Sequence, residues 1–252
     1  MFSIVHISDI HVGRSSKEDA NASALARHIL DRFPPGTVVV VTGDLVQRGM
    51  RGQHRRAADL LLRPLRERFA VLVCPGNHDY TLNWLGSKLS ADSVAAYREF
   101  VDDVSFPHVH VVEDERTVFI GLDSADPQDR VWSCGGLIDG RQVARLTGLL
   151  AEHEGRLRVV YFHHHPFMLR FWMVMVGASA LLRALASHGA GLVLFGHRHW
   201  SQEFRGTKGV PLMLSSGKST VPRWFQKELS FRVVEVDAGR IASVYRETVP
   251  KS

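Results

Sequence analysis

Two histidines, His197 and His199, stand one residue apart where the apolar run "AGLVLF" ends in "GHRH". The same kind of junction recurs along the chain. "FSIVHI" runs into Ser8-Asp9-Ile10-His11, and "TVVVVT" into Gly43-Asp44. "AVLVC" runs into Pro75-Gly76-Asn77-His78-Asp79, and "LRVVYF" into His163-His164-His165-Pro166. Carboxylates, an amide and imidazoles are oxygen and nitrogen donors, and no thiolate accompanies them. Such a set suits a divalent cation such as Mn, Fe, Zn or Co, not a sulfur-bound structural zinc. In open α/β sheets ligands bind beyond the carboxyl ends of the strands, so neighbouring strands would bring these residues to one point. Asp9/His11 and His197/His199 are i, i+2 pairs, a spacing that in extended backbone turns both side chains to one side. The glycines before Asp44, Asn77 and His197 allow a sharp turn and a close approach.

The elements that must hold these residues are legible in outline. The apolar runs are rich in Val and Ile and about six residues long, as strands are. Besides the five above they include "VHVVE", "TVFIGLD", "PLMLSS", "FRVVEV" and "IASVYRE". Helical patterns fall near 19–32, 53–68, 91–103, 139–153 and 179–188, with Pro64 expected to bend or end the second. Alternation of strand and helix over the first two thirds implies right-handed βαβ units. The last fifty residues read as antiparallel strands. Strands apolar on every residue, such as Val38–Val41, must be covered on both faces. The expectation is an α/β fold of two packed mixed sheets with helices outside.

The 252 residues suit one domain spanning 1–252, 45% hydrophobic and 23% charged, an ordinary globular profile. A net charge of +5 suits an anionic substrate and does not by itself point to nucleic acid. Cys74 and Cys134 form no CxxC pair. "MFSIVHISDIH" has no basic n-region and reaches Asp9 too early for a secretory signal, so a reducing cytoplasmic location is expected. One stretch stands apart. "FMLRFWMVMVGASALL", residues 167–182, is apolar except for Arg170. It is shorter than the roughly 20 residues a bilayer span needs. A buried helix or loop, a cap over the site, a homo-oligomer contact, and a membrane-surface or lipid contact are its readings.

Taken together, "DIH", "GD", "GNHD", the histidine opening "HHHP", and "GHRH" resemble the five blocks of the calcineurin-like metallophosphoesterases. The resemblance runs from Asp9 to about Val249, and "PGNHD" with "HHHP" is most similar to the class III cyclic nucleotide phosphodiesterase branch. It implies a four-layer α/β/β/α sandwich, two divalent metal ions and hydrolysis of a phosphoester by a metal-bridging hydroxide. Carried over by residue, it implies that Asp9, His11, Asp44 and His199 hold one metal. Asp44, Asn77, His163 and His197 would hold the other, with Asp44 shared. His78 matches the family's histidine beside the scissile bond.

Two divalent ions bring +4, Asp9 and Asp44 −2 and a bridging hydroxide −1, leaving roughly +1. That balance favours a diester monoanion, cyclic nucleotide or other small diester, unless an arginine such as Arg14 or Arg198 adds to it. His165 and Arg198 are candidate substrate contacts, although His164 and His165 could equally shape the turn before Pro166. His6, inside the first strand, reads as a hydrogen-bonded core histidine, and Asp123 as a supporting turn residue. The apolar segment suggests a lipid-linked pyrophosphate or phosphodiester as an alternative substrate, and a non-catalytic metal-binding scaffold is a second alternative. A nuclease has only Trp200, Arg223, Trp224 and Phe225 in its favour. A serine or cysteine hydrolase is disfavoured, since no GxSxG elbow occurs and Cys74 ends an apolar strand.

Overall fold

The structure, a computed structural model, describes residues 1–82, 90–125, 134–167, 174–220 and 228–250. Its strands are β1 (Phe2–Ile7), β2 (Val38–Thr42), β3 (Ala70–Cys74), β4 (His108–Val112), β5 (Thr117–Gly121), β6 (Gly136–Leu137) and β7 (Leu157–Tyr161). They continue with β8 (Met175–Val176), β9 (Leu192–Phe195), β10 (Gln202–Thr207), β11 (Val210–Ser215), β12 (Leu229–Asp237) and β13 (Arg240–Val249). The helices are α1 (Ser16–Arg32), α2 (Arg51–Ala57), α3 (Arg63–Arg66), α4 (Ala91–Phe100), α5 (Gly140–Glu152) and α6 (Ala178–Ser187).

Two mixed sheets form. The first has the order β13-β12-β1-β2-β3, and the second β10-β11-β9-β7-β5-β4. In the first, β1, β2 and β3 are parallel; in the second, β5, β7, β9 and β11 are. The strand ends carrying the donor residues therefore leave each sheet at one edge.

Alternation along the strands creates the layers. Ile4, Val38, Val40 and Leu72 of the first sheet meet Phe119, Tyr161, Leu192 and Leu214 of the second in a core between the sheets. The intervening residues Val5, Ile7, Val39 and Val41 face outward onto Leu25 and Ile29 of α1 and onto Leu61, Leu62 and Leu65. Val118, Ile120, Val160 and Phe162 face outward on the other side, onto Leu146 and Leu150 of α5 and Leu181 and Leu185 of α6. Three cores separate four layers, the α/β/β/α order expected. Fully burying each such side chain contributes about 1.5–3 kcal/mol.

The structure departs from or adds to the sequence reading in four places. Pro64 does not end its helix. A π turn, Ala58–Leu62, precedes it, and α3 continues to Arg66. Proline has no N–H and crowds the carbonyl four residues earlier, and the wider π turn accommodates both. β10, "QEFRGT", was not foreseen: it is a polar edge strand paired only with β11, and so lacks the apolar alternation of a buried one. The C-terminal region is not wholly antiparallel, since β11 lies parallel to β9. Within the apolar stretch 167–182 the helix expected near 179–188 forms, and a short strand not expected there precedes it. Met175–Val176 pairs with β6, and α6 begins only at Ala178. Met175, Leu181 and Leu182 are buried, whereas Arg170 and its neighbours at 168–173 lie outside the described residues.

Candidate metal centre

Beyond the ends of β1 and β2 the chain keeps a backbone ladder. Asp9, His11 and Val12 N–H groups donate to Gly43, Asp44 and Leu45 carbonyls at 3.1, 2.9 and 2.9 Å. This sets the loop holding Asp9 and His11 against the loop holding Asp44. Asp9, His11, Asp44, His197 and His199 all have positive φ, between 53° and 74°. The i, i+2 pairs are thus not extended, as the sequence reading had them. They converge because both members are left-handed. That conformation is uncommon for residues other than glycine, and it clusters where function over-determines the backbone.

Two glycines make room for these turns. A Cβ on Gly76 would stand 2.2 Å from Asp44 Oδ1, and one on Gly196 1.9 Å from Ser8 Oγ. A sixth strand exit, Ser216–Thr220 after β11, braces the first loop. Ser8 N–H donates to Ser219 Oγ (3.1 Å), Ser219 N–H to Ser8 O (3.0 Å) and Thr220 Oγ1 to Ile10 O (2.7 Å). Sequence reasoning missed this brace, because hydroxyls in "SSGKST" carry no ligand signature.

The ligand atoms gather in two groups. Those of Asp9, His11, Asp44 and His199 lie within 4.8 Å of one another, as do those of His163, His164 and His197. His11 Nε2 stands 3.1 Å from His199 Nε2, and His197 Nδ1 3.2 Å from His163 Nε2. Asp44 joins the groups. Its Oδ1 accepts His78 N–H at 3.0 Å, while Oδ2 lies 3.8 Å from His11 Nε2 and 3.4 Å from His163 Nε2. Asn77 is buried at the start of the short 3-10 turn Asn77–Tyr80, next to Gly76 and so next to Asp44.

Hydrogen bonds assign several roles. His163 Nδ1 lies 2.7 Å from the Thr42 carbonyl, which can only accept, so Nδ1 carries a hydrogen and Nε2 is the atom turned toward Asp44. Asp9 Oδ2 is held by His197 N–H at 3.2 Å and Ser8 Oγ at 2.7 Å, while buried Oδ1 faces His199 Nε2 at 3.4 Å. His197 Nε2 is buried with no hydrogen-bond partner. Buried polar atoms are normally paired, and a cation satisfies such atoms. His164 is different. Ser124 Oγ accepts the N–H groups of His163 and His164 at 3.2 and 3.1 Å, so its own hydrogen goes to His164 Nδ1 at 2.9 Å. With Nδ1 accepting, the His164 ring is a brace and not a ligand, although it lies among the ligands.

Electrostatics agree with a cation site. Burial would raise the carboxyls of Asp44 and Asp9, but surrounding imidazoles outweigh it and hold Asp44 well below the usual range. Burial keeps His11 and His197 neutral. Burial also opposes charge on His163, yet Asp44 and Asp9 lift it to about 9. A proton is drawn to the place between Asp44 and His163 where a divalent ion would satisfy the same atoms. The donor set fits divalent metal.

The other candidates are placed as follows. His78 Nδ1 donates to the Gln47 carbonyl at 2.8 Å, leaving Nε2 for the cleft it lines. His165 is outside both ligand groups, its ring 4.9 Å from Phe195 and 5.4 Å from Phe167. The Arg198 guanidinium lies 5.7 Å over exposed Trp200. Arg223, Trp224 and Phe225 fall outside the described residues. His6 is the core histidine expected, its Nε2 2.9 Å from Thr42 Oγ1. Asp123 supports its turn, accepting Ala125 N–H at 2.8 Å and the Tyr80 hydroxyl at 3.2 Å. Asp79, last in "GNHD", was given no role from sequence. Its carboxylate accepts Gly76 N–H at 2.8 Å and Val46 N–H at 3.1 Å, tying the Asn77 and Asp44 loops together.

The calcineurin-like phosphoesterase family profile matches residues 2–201. The chain belongs to this family. No curated protein matches the sequence. Among solved structures, PhoD shares the fold with a TM-score of 0.64 at 10% identity, covering 98% of this chain and 68% of PhoD. The purple acid phosphatase PPD1 of yellow lupin aligns with a TM-score of 0.58 at 11% identity, over 97% of this chain and 53% of its own. This chain thus spans about half of that phosphatase. Phosphopantetheinyl hydrolase of Mycobacterium tuberculosis aligns with a TM-score of 0.55 at 16% identity, over 86% and 90% of the two chains. Such identities speak for the fold alone. Among the described residues no helix is long and apolar enough to cross a membrane.

Proposed function

We propose that this calcineurin-like phosphoesterase hydrolyses a phosphodiester, cyclic or acyclic, with two divalent cations held side by side. Asp9, His11, Asp44 and His199 would hold one; Asp44, Asn77, His163 and His197 would hold the other. The observation that carries this reading is Asp44 Oδ2, which faces His11 of one group and His163 of the other at 3.8 and 3.4 Å. Bound divalent metal supplies Lewis acidity and a water that ionises near neutral pH.

The chain's own residues do the rest. Thr42 and Ser8 fix the ligand atoms of His163 and Asp9. Asp79 and Ser219 hold the loops that carry them. His78, anchored by Gln47, presents Nε2 to the cleft. With a proton there it donates to a phosphoryl or leaving-group oxygen, a role that typically contributes about 10²–10⁴-fold. The test is metal analysis of purified protein followed by a phosphoester panel of cyclic nucleotides, glycerophosphodiesters, nucleic acid and lipid pyrophosphates. Turnover of diesters above monoesters supports the reading. Bound metal with monoesters as the only substrates would overturn the diester assignment and leave the family chemistry standing.

A further inference from the structure

A cleft of about 460 Å³ opens directly beside the metal ligands His11 and His199 and is also lined by His78. Beyond these residues its walls are Arg14, Arg48, Gln47, Gln53, Gly13 and Met50. The two guanidiniums arrive there by the same device. The ladder between the two ligand loops ends in a parallel bridge, Val12 to Val46, with Gln47 N–H donating to Val12 O at 3.0 Å. Arg14 and Arg48 each lie two residues past that bridge. Gln53, reaching from α2, locks the two loops together. Its Oε1 accepts Arg48 N–H at 2.8 Å and its Nε2 donates to Gly13 O at 3.4 Å. The amide packs where a Gly13 side chain would be, only 2.5 Å from a Cβ built there.

The charge of this wall is one-sided. No carboxylate lines the cleft among the described residues. Glu18 pairs with Arg14 at 3.4 Å, but its Oε1 is also held by the half-buried Lys218 ammonium at 2.8 Å. Arg48 makes no ion pair among the described residues, and both arginines are solvent-exposed. Two cations beside a site already made for an anionic phosphorus exceed what one diester monoanion balances. Guanidinium forks match phosphate geometry.

We infer that Arg14 and Arg48 form a subsite for a second phosphoryl group, so that the preferred substrate is a phosphoester carrying a further phosphate on the side nearest His78. This inference rests on the phosphoester reading above and adds the substrate class. Gln53 is a positioning residue for the pair. Met50, exposed at the rim, offers the group between the two phosphates an apolar contact.

The test separates binding from turnover. Manganese-loaded protein is titrated calorimetrically with thymidine 5′-phosphate and with thymidine 3′,5′-bisphosphate, which differ by one phosphate. The wild type is expected to bind the bisphosphate about tenfold or more tightly than the monophosphate, as a charge-assisted contact predicts. In R14A/R48A that preference should disappear, and in R14K/R48K it should fall to an intermediate value. Gln53→Ala should weaken that preference as well. Equal affinity of the wild type for the two probes, or an undiminished preference in R14A/R48A with its metal content intact, would overturn the inference. A diester panel that fails while the bisphosphate preference holds counts against the proposed reaction and not against the subsite.

Discussion

Replacing Gly76 by alanine should break the metal centre from a position that is not a ligand. Gly76 has φ −105° and ψ 174°, ordinary extended backbone that alanine adopts without strain. Only space is at issue. The new Cβ would stand 2.2 Å from Asp44 Oδ1 and 2.4 Å from Asp44 N, where 3.4 Å or more is ordinary contact. The Asp44 loop must therefore retreat by about 1 Å, a displacement that can cost on the order of 10²-fold in turnover and that weakens the hold of Asp44 on metal. Overpacking of this kind also costs about 1–3 kcal/mol of stability. For a chain of this size that lowers the melting temperature by roughly 2–10 °C. The assays are manganese titration calorimetry and thermal denaturation of the metal-free protein. Gly52→Ala is the control. It sits in α2 with nothing within 4 Å of its Cβ, and should gain about 0.5–1 kcal/mol in the same assays without loss of metal. If Gly76→Ala binds manganese as tightly as the wild type, Asp44 is not held where the account requires.

Three further outcomes are expected. His78→Ala should retain its metal while turnover falls by about 10²–10⁴-fold, measured by metal analysis and initial rates on one sample; near-normal rates would remove His78 from the reaction. Ser219→Ala strands the buried Ser8 N–H and should cost about 1–3 kcal/mol in urea denaturation, with weaker metal binding because Asp9 is the next residue. Burial lowers His6 to about 3 and His54 to about 4 from an ordinary 6.5, so the unfolded chain takes up these protons first. Stability from these two groups is full well above pH 6.5 and is lost as pH falls toward 4, by about 2.5 kcal/mol per pH unit near pH 5. His54→Gln should reduce that slope by about one proton, and a pH-independent unfolding free energy from 6.5 to 4.5 would contradict the burial argument.

The strands and the site residues were legible in the sequence to different depths. Val38–Val41 and Leu192–Phe195 announced strands covered on both faces, and the three cores follow from their alternation. The convergence of Asp9, Asp44, His163 and His197 was readable because each follows such a strand. How they converge was not. The sequence suggested extended i, i+2 pairs, whereas the backbone turns left-handed at all four residues of those pairs and at Asp44. That conformation is imposed by the ladder from Asp9 to Val12 and by the close passage at Gly76 and Gly196, contacts between segments far apart in the chain. The same limit hid Ser124, Asp79 and Ser219. Hydroxyls and a carboxylate that bind backbone N–H groups have no spacing of their own. β10 escaped because an edge strand, wet on one side, carries no apolar period.

The most direct test is the location and number of bound ions, by anomalous scattering from crystals grown with manganese and by metal analysis in solution. Two ions per chain sharing Asp44 are expected, with loss of both together in Asp44→Asn. A single ion, ions bound away from Asp44, or an Asp44→Asn variant that keeps one site at full affinity would contradict it.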